Sequence, residues 1–191
     1  MNKTIVIMGW MSSGKDTAIQ YLSNNYNIPI AISNTTRPRR EGELQGREYN
    51  FVTKEEFDAQ EYPIPPRVYH TIYGDWYYGT DPLVKGKLVI LDFAGCKSLC
   101  NKLRRENVIV IKLKTSKSIL KRRAIERGDN LDEICRRIAD DEDVFKGSDE
   151  YADYIIQNND SEKQLYGKLD NIMSKIKGEW LLYDKELFNR Y

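Results

Sequence analysis

The chain has 191 residues, 40% of them hydrophobic and 31% charged, proportions that suit one soluble domain with a real core. Thirty lysines and arginines against 29 aspartates and glutamates leave a formal charge of +1, which argues against a protein living by nonspecific nucleic-acid binding. Cys96, Cys100 and Cys135 make no CxxC pair, and with His70 as the one histidine no zinc set can be assembled. Free thiols in a reducing compartment follow, so a cytoplasmic protein is expected. The apolar run at residues 5–8 is too short for a membrane span and no signal-peptide cleavage region follows it, so no membrane partner is expected either.

In chain order, residues 5–8 read as a buried parallel strand ending at Gly9, and residues 17–26 as a helix. Residues 28–32 are a second strand candidate, pushed towards an edge by Pro29. Residues 34–87 break the rhythm with turns at Glu41-Gly42 and Gln45-Gly46, prolines at 63, 65 and 66, and clustered tyrosines, as an inserted lobe would. Strands are expected again at residues 88–93 and 108–113. Charged amphipathic helices follow at 116–127 and 131–146, then a short strand at 154–156 and a helix at 161–177. Alternating strands and helices predict an α/β three-layer fold around a central parallel sheet. The tail, residues 179–191, carries Trp180, Leu181, Leu182, Leu187 and Phe188 and is expected to pack as a short helix or extension.

Residues 9–17 read Gly-Trp-Met-Ser-Ser-Gly-Lys-Asp-Thr, a phosphate loop (P-loop) lying between a strand and a helix. In that setting Gly9, Ser12, Ser13, Gly14 and Thr17 belong to a nucleotide cradle whose backbone N–H groups face phosphate oxygens, while the Lys15 ammonium reaches the β and γ phosphates. Asp16 stands where Ser or Thr usually helps to hold magnesium. It can ligate Mg²⁺ directly or through water, Thr17 can stand in, or Asp16 merely complements the helix dipole.

A second phosphate grip runs from Ser33 to Phe51: Ser33-x-Thr-Thr-Arg37-x-x-Arg40-x-Gly42-Glu43-x-x-Gly46-x-x-Tyr49-x-Phe51. Together with Tyr77-Tyr78-Gly79-Thr80, Leu91-Asp92, Arg123-x-x-x-Arg127-Gly128, Arg136-Arg137 and Tyr154-x-Ile156-x-Asn158-Asn159-Asp160, it resembles the guanylate kinase family of nucleoside monophosphate kinases over residues 3 to about 175. The resemblance implies a core of residues 1–33, 88–115 and 148–178, a monophosphate-binding lobe at 34–87, a helical lid at 116–147 and a tail at 179–191. It implies that Ser33, Arg37, Arg40, Tyr49, Tyr78 and Thr80 bind the acceptor and that Arg127 and Asn159 belong to the ATP site. Lys15, Arg123 and Arg137 would act on the transferring group, with Asp92 as a magnesium or water-network acid. Arg123 and Arg137 are preferred by spacing to Arg122 and Arg136, and Asp140-Asp141-Glu142-Asp143 is expected to be a solvated helix face.

The sequence departs from the family where guanine would be read. The family's glutamate before the Tyr-Gly-Thr motif falls near residues 68–70 here, where no carboxylate stands, and its second aspartate is Ala94. Asp75 lies close enough in sequence to substitute. The implied activity is ATP- and Mg²⁺-dependent phosphorylation of GMP or dGMP by a monomer or homodimer. The alternatives are another phosphorylated acceptor or a non-catalytic guanylate kinase-like binding module.

Overall fold

An apolar run without a polar face has nothing to offer water, so it takes the centre of a sheet. Here it forms β1 (Thr4–Gly9), every residue of which is buried. The computed structural model describes residues 3–188, with side chains to residue 178. After β1 come α1 (Lys15–Tyr26), β2 (Asn34–Thr35), β3 (Asn50–Phe51), α2 (Lys54–Asp58), β4 (Arg67–Thr71), β5 (Gly74–Gly79), β6 (Leu88–Ile90) and α3 (Phe93–Leu103). The chain continues with β7 (Val108–Lys114), α4 (Lys117–Glu126), α5 (Leu131–Val144), α6 (Ser148–Tyr151), β8 (Tyr154–Gln157) and α7 (Glu162–Phe188).

Four strands pair in parallel in the order β6-β1-β7-β8, and both faces of β1 are buried. Val6 and Met8 on one face meet Cys96, Leu99 and Cys100 of α3, whose apolar residues recur at helical spacing. The lobe at residues 34–87 has its own sheet, in the order β3-β2-β5-β4, built on the antiparallel β4–β5 hairpin. Its short helix α2 starts in a reciprocal capping box between Thr53 and Glu56.

Contacts divide the chain into two compact units, Met1–Asn159, which holds both sheets, and Asp160–Tyr191. The second is helix α7, with the buried apolar residues Leu165, Leu169, Ile172, Met173 and Ile176. The helix runs through Phe188 without a break, and the expected packing of Trp180, Leu181, Leu182, Leu187 and Phe188 lies outside the described side chains. Among the described residues, no helix is long and apolar enough to cross a membrane.

Two of the expected strands differ in extent. Residues 28–32 make a single parallel bridge, Ile30 to Leu88, instead of a strand, flanked by bonds from Leu88 N–H to the Pro29 carbonyl and from Ala31 N–H to the Leu88 carbonyl. Proline has no N–H to give to a longer ladder. The strand expected over residues 88–93 stops at Ile90, because Asp92 turns the chain into α3 by accepting the Gly95 N–H at 2.7 Å.

Candidate active site

The phosphate loop begins where β1 ends, and its first glycine is required by packing. A Cβ on Gly9 would lie 2.6 Å from the Leu113 carbonyl oxygen of the adjoining strand β7 and 2.7 Å from Ser13 Oγ. Gly9→Ala should therefore lower stability by about 1–3 kcal/mol, read as a drop in the urea midpoint at unchanged slope. Ser12 (φ 53°) and Gly14 (φ 93°) turn the loop, and Asn158 braces it from β8 by donating to the Ser13 carbonyl at 2.8 Å. The hydroxyls of Ser12 and Ser13 are buried with no protein partner, and that of Ser12 belongs to the cavity wall.

Lys15 folds back on the loop, donating to the Gly9 and Trp10 carbonyls at 2.8 and 2.7 Å. Burial pulls its ammonium below the ordinary lysine value, and the carboxylates of Asp141 and then Asp16 oppose that pull. Asp16 is exposed at the cavity wall beside it.

Facing the loop across the same cavity stand Ser33, Arg37, Arg40, Tyr49 and Tyr78. Arg37, 3% exposed, makes a two-pronged bond to Glu43 at 3.0 and 2.9 Å, and lies 5.4 Å from the Tyr49 ring and 5.5 Å from the Phe51 ring. Burial depresses its basicity, but Glu43, together with the neighbouring Tyr78 and Tyr49, raises it above the ordinary arginine value. The Glu43 oxygen that accepts from Arg37 Nη1 also receives the Arg40 backbone N–H at 2.8 Å. One carboxylate thus fixes the turn that carries both arginines. Burial, and next the nearby Arg127, hold the Arg40 guanidinium below its ordinary value. Tyr49 keeps its proton because burial pushes its phenol well above the ordinary range, so it faces the cavity as a hydrogen-bond donor.

The far end of the cavity is lined by Arg67, Tyr69, Thr80, Asp92 and Ala94. Asp92, whose side chain is 5% exposed, caps α3 with one oxygen, and its other oxygen sits 3.0 Å from Arg67 Nε. The alternation of β4 brings Arg67 and Tyr69 to the wall. Neither Val68 nor His70 lines the cavity, and His70 lies exposed beside Asp75 at 2.7 Å. Asp75 is therefore no substitute base reader, because it lies exposed on the hairpin and does not line the cavity.

From the lid, Arg127 and Arg137 line the cavity, whereas Arg123 sits one turn before Arg127 on α4 and does not. Arg127 is held by Asp129. Asp141 overturns the expectation of a solvated acidic face. It is 5% exposed, lines the cavity, and accepts the Met11 N–H of the phosphate loop at 2.6 Å. The lid also touches the lobe: Glu133 of α5, paired with Arg136 at 2.9 Å through both oxygens, accepts the Ile72 N–H at the hairpin tip at 3.3 Å.

The guanylate kinase family model matches residues 1–176. The chain belongs to the guanylate kinase family. It is 33% identical over 179 residues to a guanylate kinase of Campylobacter jejuni, covering 88% of this chain and 86% of that one. A guanylate kinase of Clostridium tetani is 38% identical over 137 residues, 68% of this chain and 65% of the relative, so that match spans just under two thirds of the relative's length. The crystal structure of guanylate kinase from Anaplasma phagocytophilum superposes with a TM-score of 0.61 at 25% identity, covering 94% of this chain and 88% of that one. A shikimate kinase from Bacteroides thetaiotaomicron shares the fold, with a TM-score of 0.52 at 13% identity.

In this guanylate kinase family member, Gly9, Ser12, Lys15, Asp16, Ser33, Arg37, Arg40, Tyr49, Tyr78, Thr80, Asp92, Arg127 and Arg137 line one cavity. Ser13, Gly14, Thr17, Arg123 and Asn159 do not line it, and the Asn159 side-chain oxygen accepts the Ser116 N–H at 2.9 Å. Glu43, Arg67, Tyr69, Asp141 and the bracing Asn158 were not singled out from sequence. For Glu43 a signal existed: an acid three residues after Arg40 in a Gly-containing turn is placed to fold back on that turn. Among the described residues, no group of three or more His, Cys, Asp and Glu side chains forms a metal site.

Proposed function

We propose that the protein transfers the γ-phosphoryl group of ATP to a nucleoside monophosphate, GMP or dGMP first. The observation that carries this reading is that two separate phosphate grips, Lys15 with the Ser12 loop and Arg37 with Arg40, Tyr49 and Tyr78, line the same cavity. Lys15 and Arg137 would bear on the charge that spreads over the transferring group's oxygens, with Arg127 beside them. Arg37 and Arg40 orient the acceptor phosphate, with Ser33, Tyr49 and Tyr78 as neutral donors. The acceptor's own phosphate oxygen attacks, so no side chain need serve as nucleophile.

The unpartnered hydroxyl of Ser12, at the cavity wall, fits a bound polyphosphate. A bound Mg²⁺ would neutralise charge between the β and γ phosphates, and Asp16, exposed at the cavity wall, is the side chain best suited to hold it. At the base end, Thr80 lines the cavity with a hydroxyl that can meet the acceptor's donors, while both oxygens of Asp92 are engaged, one by the Gly95 N–H and one by Arg67. The three free cysteines suit a reducing, cytoplasmic setting.

A second reading, the same reaction on a different nucleotide, is favoured by Arg67 standing 3.0 Å from Asp92. A guanidinium there offers donors where guanine's N1–H and N2–H₂ ask for acceptors. Release of ADP from ATP, measured with a panel of ribo- and deoxyribonucleoside monophosphates, separates the readings. Turnover greatest with GMP or dGMP supports the first, and turnover greatest with another base supports the second. Binding of nucleotides with no turnover on any acceptor would refute both and leave a binding module.

A further inference from the structure

The contact between Asp141 and Met11 has more in it than the burial of an acid. Met11 is held in two ways. Its N–H is bonded to Asp141 of α5 at 2.6 Å, and its side chain, 3% exposed, packs with Ala124 of α4 and Ile134 of α5, both fully buried, and with Ile138. A residue of the phosphate loop thus sits inside the small core of the lid. On α5, Asp141 follows Arg137 by four residues, so the two share the helix face that looks into the cavity. The same carboxylate is the foremost negative charge acting on the Lys15 ammonium.

We infer that Asp141 is a positioning residue, which locks the lid to the phosphate loop through Met11 and thereby fixes where Arg137 and Lys15 stand in the cavity they share. This rests on the phosphotransfer reading above for its catalytic consequence, but not for the lock itself. Reactions of this kind depend on positioned charge, and a shift of about 1 Å in a positioning group costs about 100-fold in rate. Asp141 touches no reacting atom. Its effect passes through the groups it holds.

The test compares Asp141→Ala and Asp141→Asn with Asp143→Asn, a change to an exposed residue of the same helix. Hydrogen exchange of the nucleotide-free protein reads the lock directly. In Asp141→Ala, amides of the loop at residues 9–14 and of α4 and α5 should exchange about tenfold faster or more, while those of β1 and β7 keep their protection. Asp141→Asn keeps a carbonyl oxygen for the Met11 N–H and should stay near the parent protein, as should Asp143→Asn. In turnover, Asp141→Ala should lower kcat about 10- to 100-fold with KM for ATP changed by less than about threefold, and Asp141→Asn should recover part of that loss.

Exchange in Asp141→Ala that is unchanged, or faster by the same factor throughout the chain, would overturn the inference. So would a rise in KM for ATP at constant kcat. If the parent protein turns over no acceptor yet exchange in the loop and lid responds as described, the phosphotransfer reading fails and the lock stands.

Discussion

Replacing Lys15 with Ala should reduce kcat by about 10³-fold or more while leaving the fold intact. On the phosphotransfer reading, the magnitude follows from removing a preorganised charge that would face the transferring group. Tolerance of the fold follows from what Lys15 holds in the nucleotide-free protein: two loop carbonyls, of which Trp10's also receives the Ser13 N–H at 3.2 Å. Asp141 would lose a neighbouring cation but would keep the Met11 N–H and the charge of Arg137 nearby. Steady-state kinetics with ATP and the best acceptor, alongside a thermal melt, check both halves. A variant with undiminished kcat would remove Lys15 from the chemistry. Lys15→Arg should not rescue, because a planar fork cannot occupy the site of a compact ammonium tucked against two carbonyls.

Replacing Arg37 with Met should act on stability and on acceptor use at once. Arg37 and Glu43 form a largely buried two-pronged pair, and removing one partner of such a pair typically costs about 3–5 kcal/mol because the other charge is stranded. Acceptor kcat/KM should fall at least about 100-fold, since the charge-assisted donor is gone and the turn carrying Arg40 loosens. The double variant Arg37→Met with Glu43→Gln separates the two effects. It should regain most of the lost stability and none of the acceptor use. Urea denaturation and acceptor KM report the outcome. A single variant as stable as the parent, or a double variant that uses the acceptor normally, would refute this account of the pair.

Much of this was legible in the sequence for local reasons. A phosphate loop is a contiguous run whose glycines, lysine and flanking strand and helix all lie within two dozen residues, so its pattern survives in one dimension. The acceptor segment from Ser33 to Phe51 is similarly contiguous. What the sequence concealed depends on long-range packing. Asp141 sits in a run of four acids, and nothing local distinguishes the one that turns inward from those that stay in water. Its partner is Met11, 130 residues away. Arg67 and Tyr69 reach the cavity because β4 pairs with β5 in the register that sets Arg67 opposite Tyr78 and Tyr69 opposite Trp76. A shift of one residue would have presented Val68 and His70 instead. Helix α3 was missed because the apolar run before it reads on into Phe93, and only the cap made by Asp92 marks the change of structure. Of the clustered tyrosines, Tyr77 packs in the lobe with its ring 5.8 Å from that of Phe57, whereas Tyr73, 62% exposed, stacks on Trp76 at the hairpin's tip.

The contact between Ile72 and Glu133 bears on traffic. Hairpin and lid are joined by a backbone N–H that reaches a carboxylate at 3.3 Å. A bond of that kind is worth about 1 kcal/mol, which biases an equilibrium by less than about tenfold. A bond of that strength biases hairpin and lid towards contact without fixing them there. A latch this weak parts readily, so this contact alone adds little to the time that any opening of hairpin from lid would take.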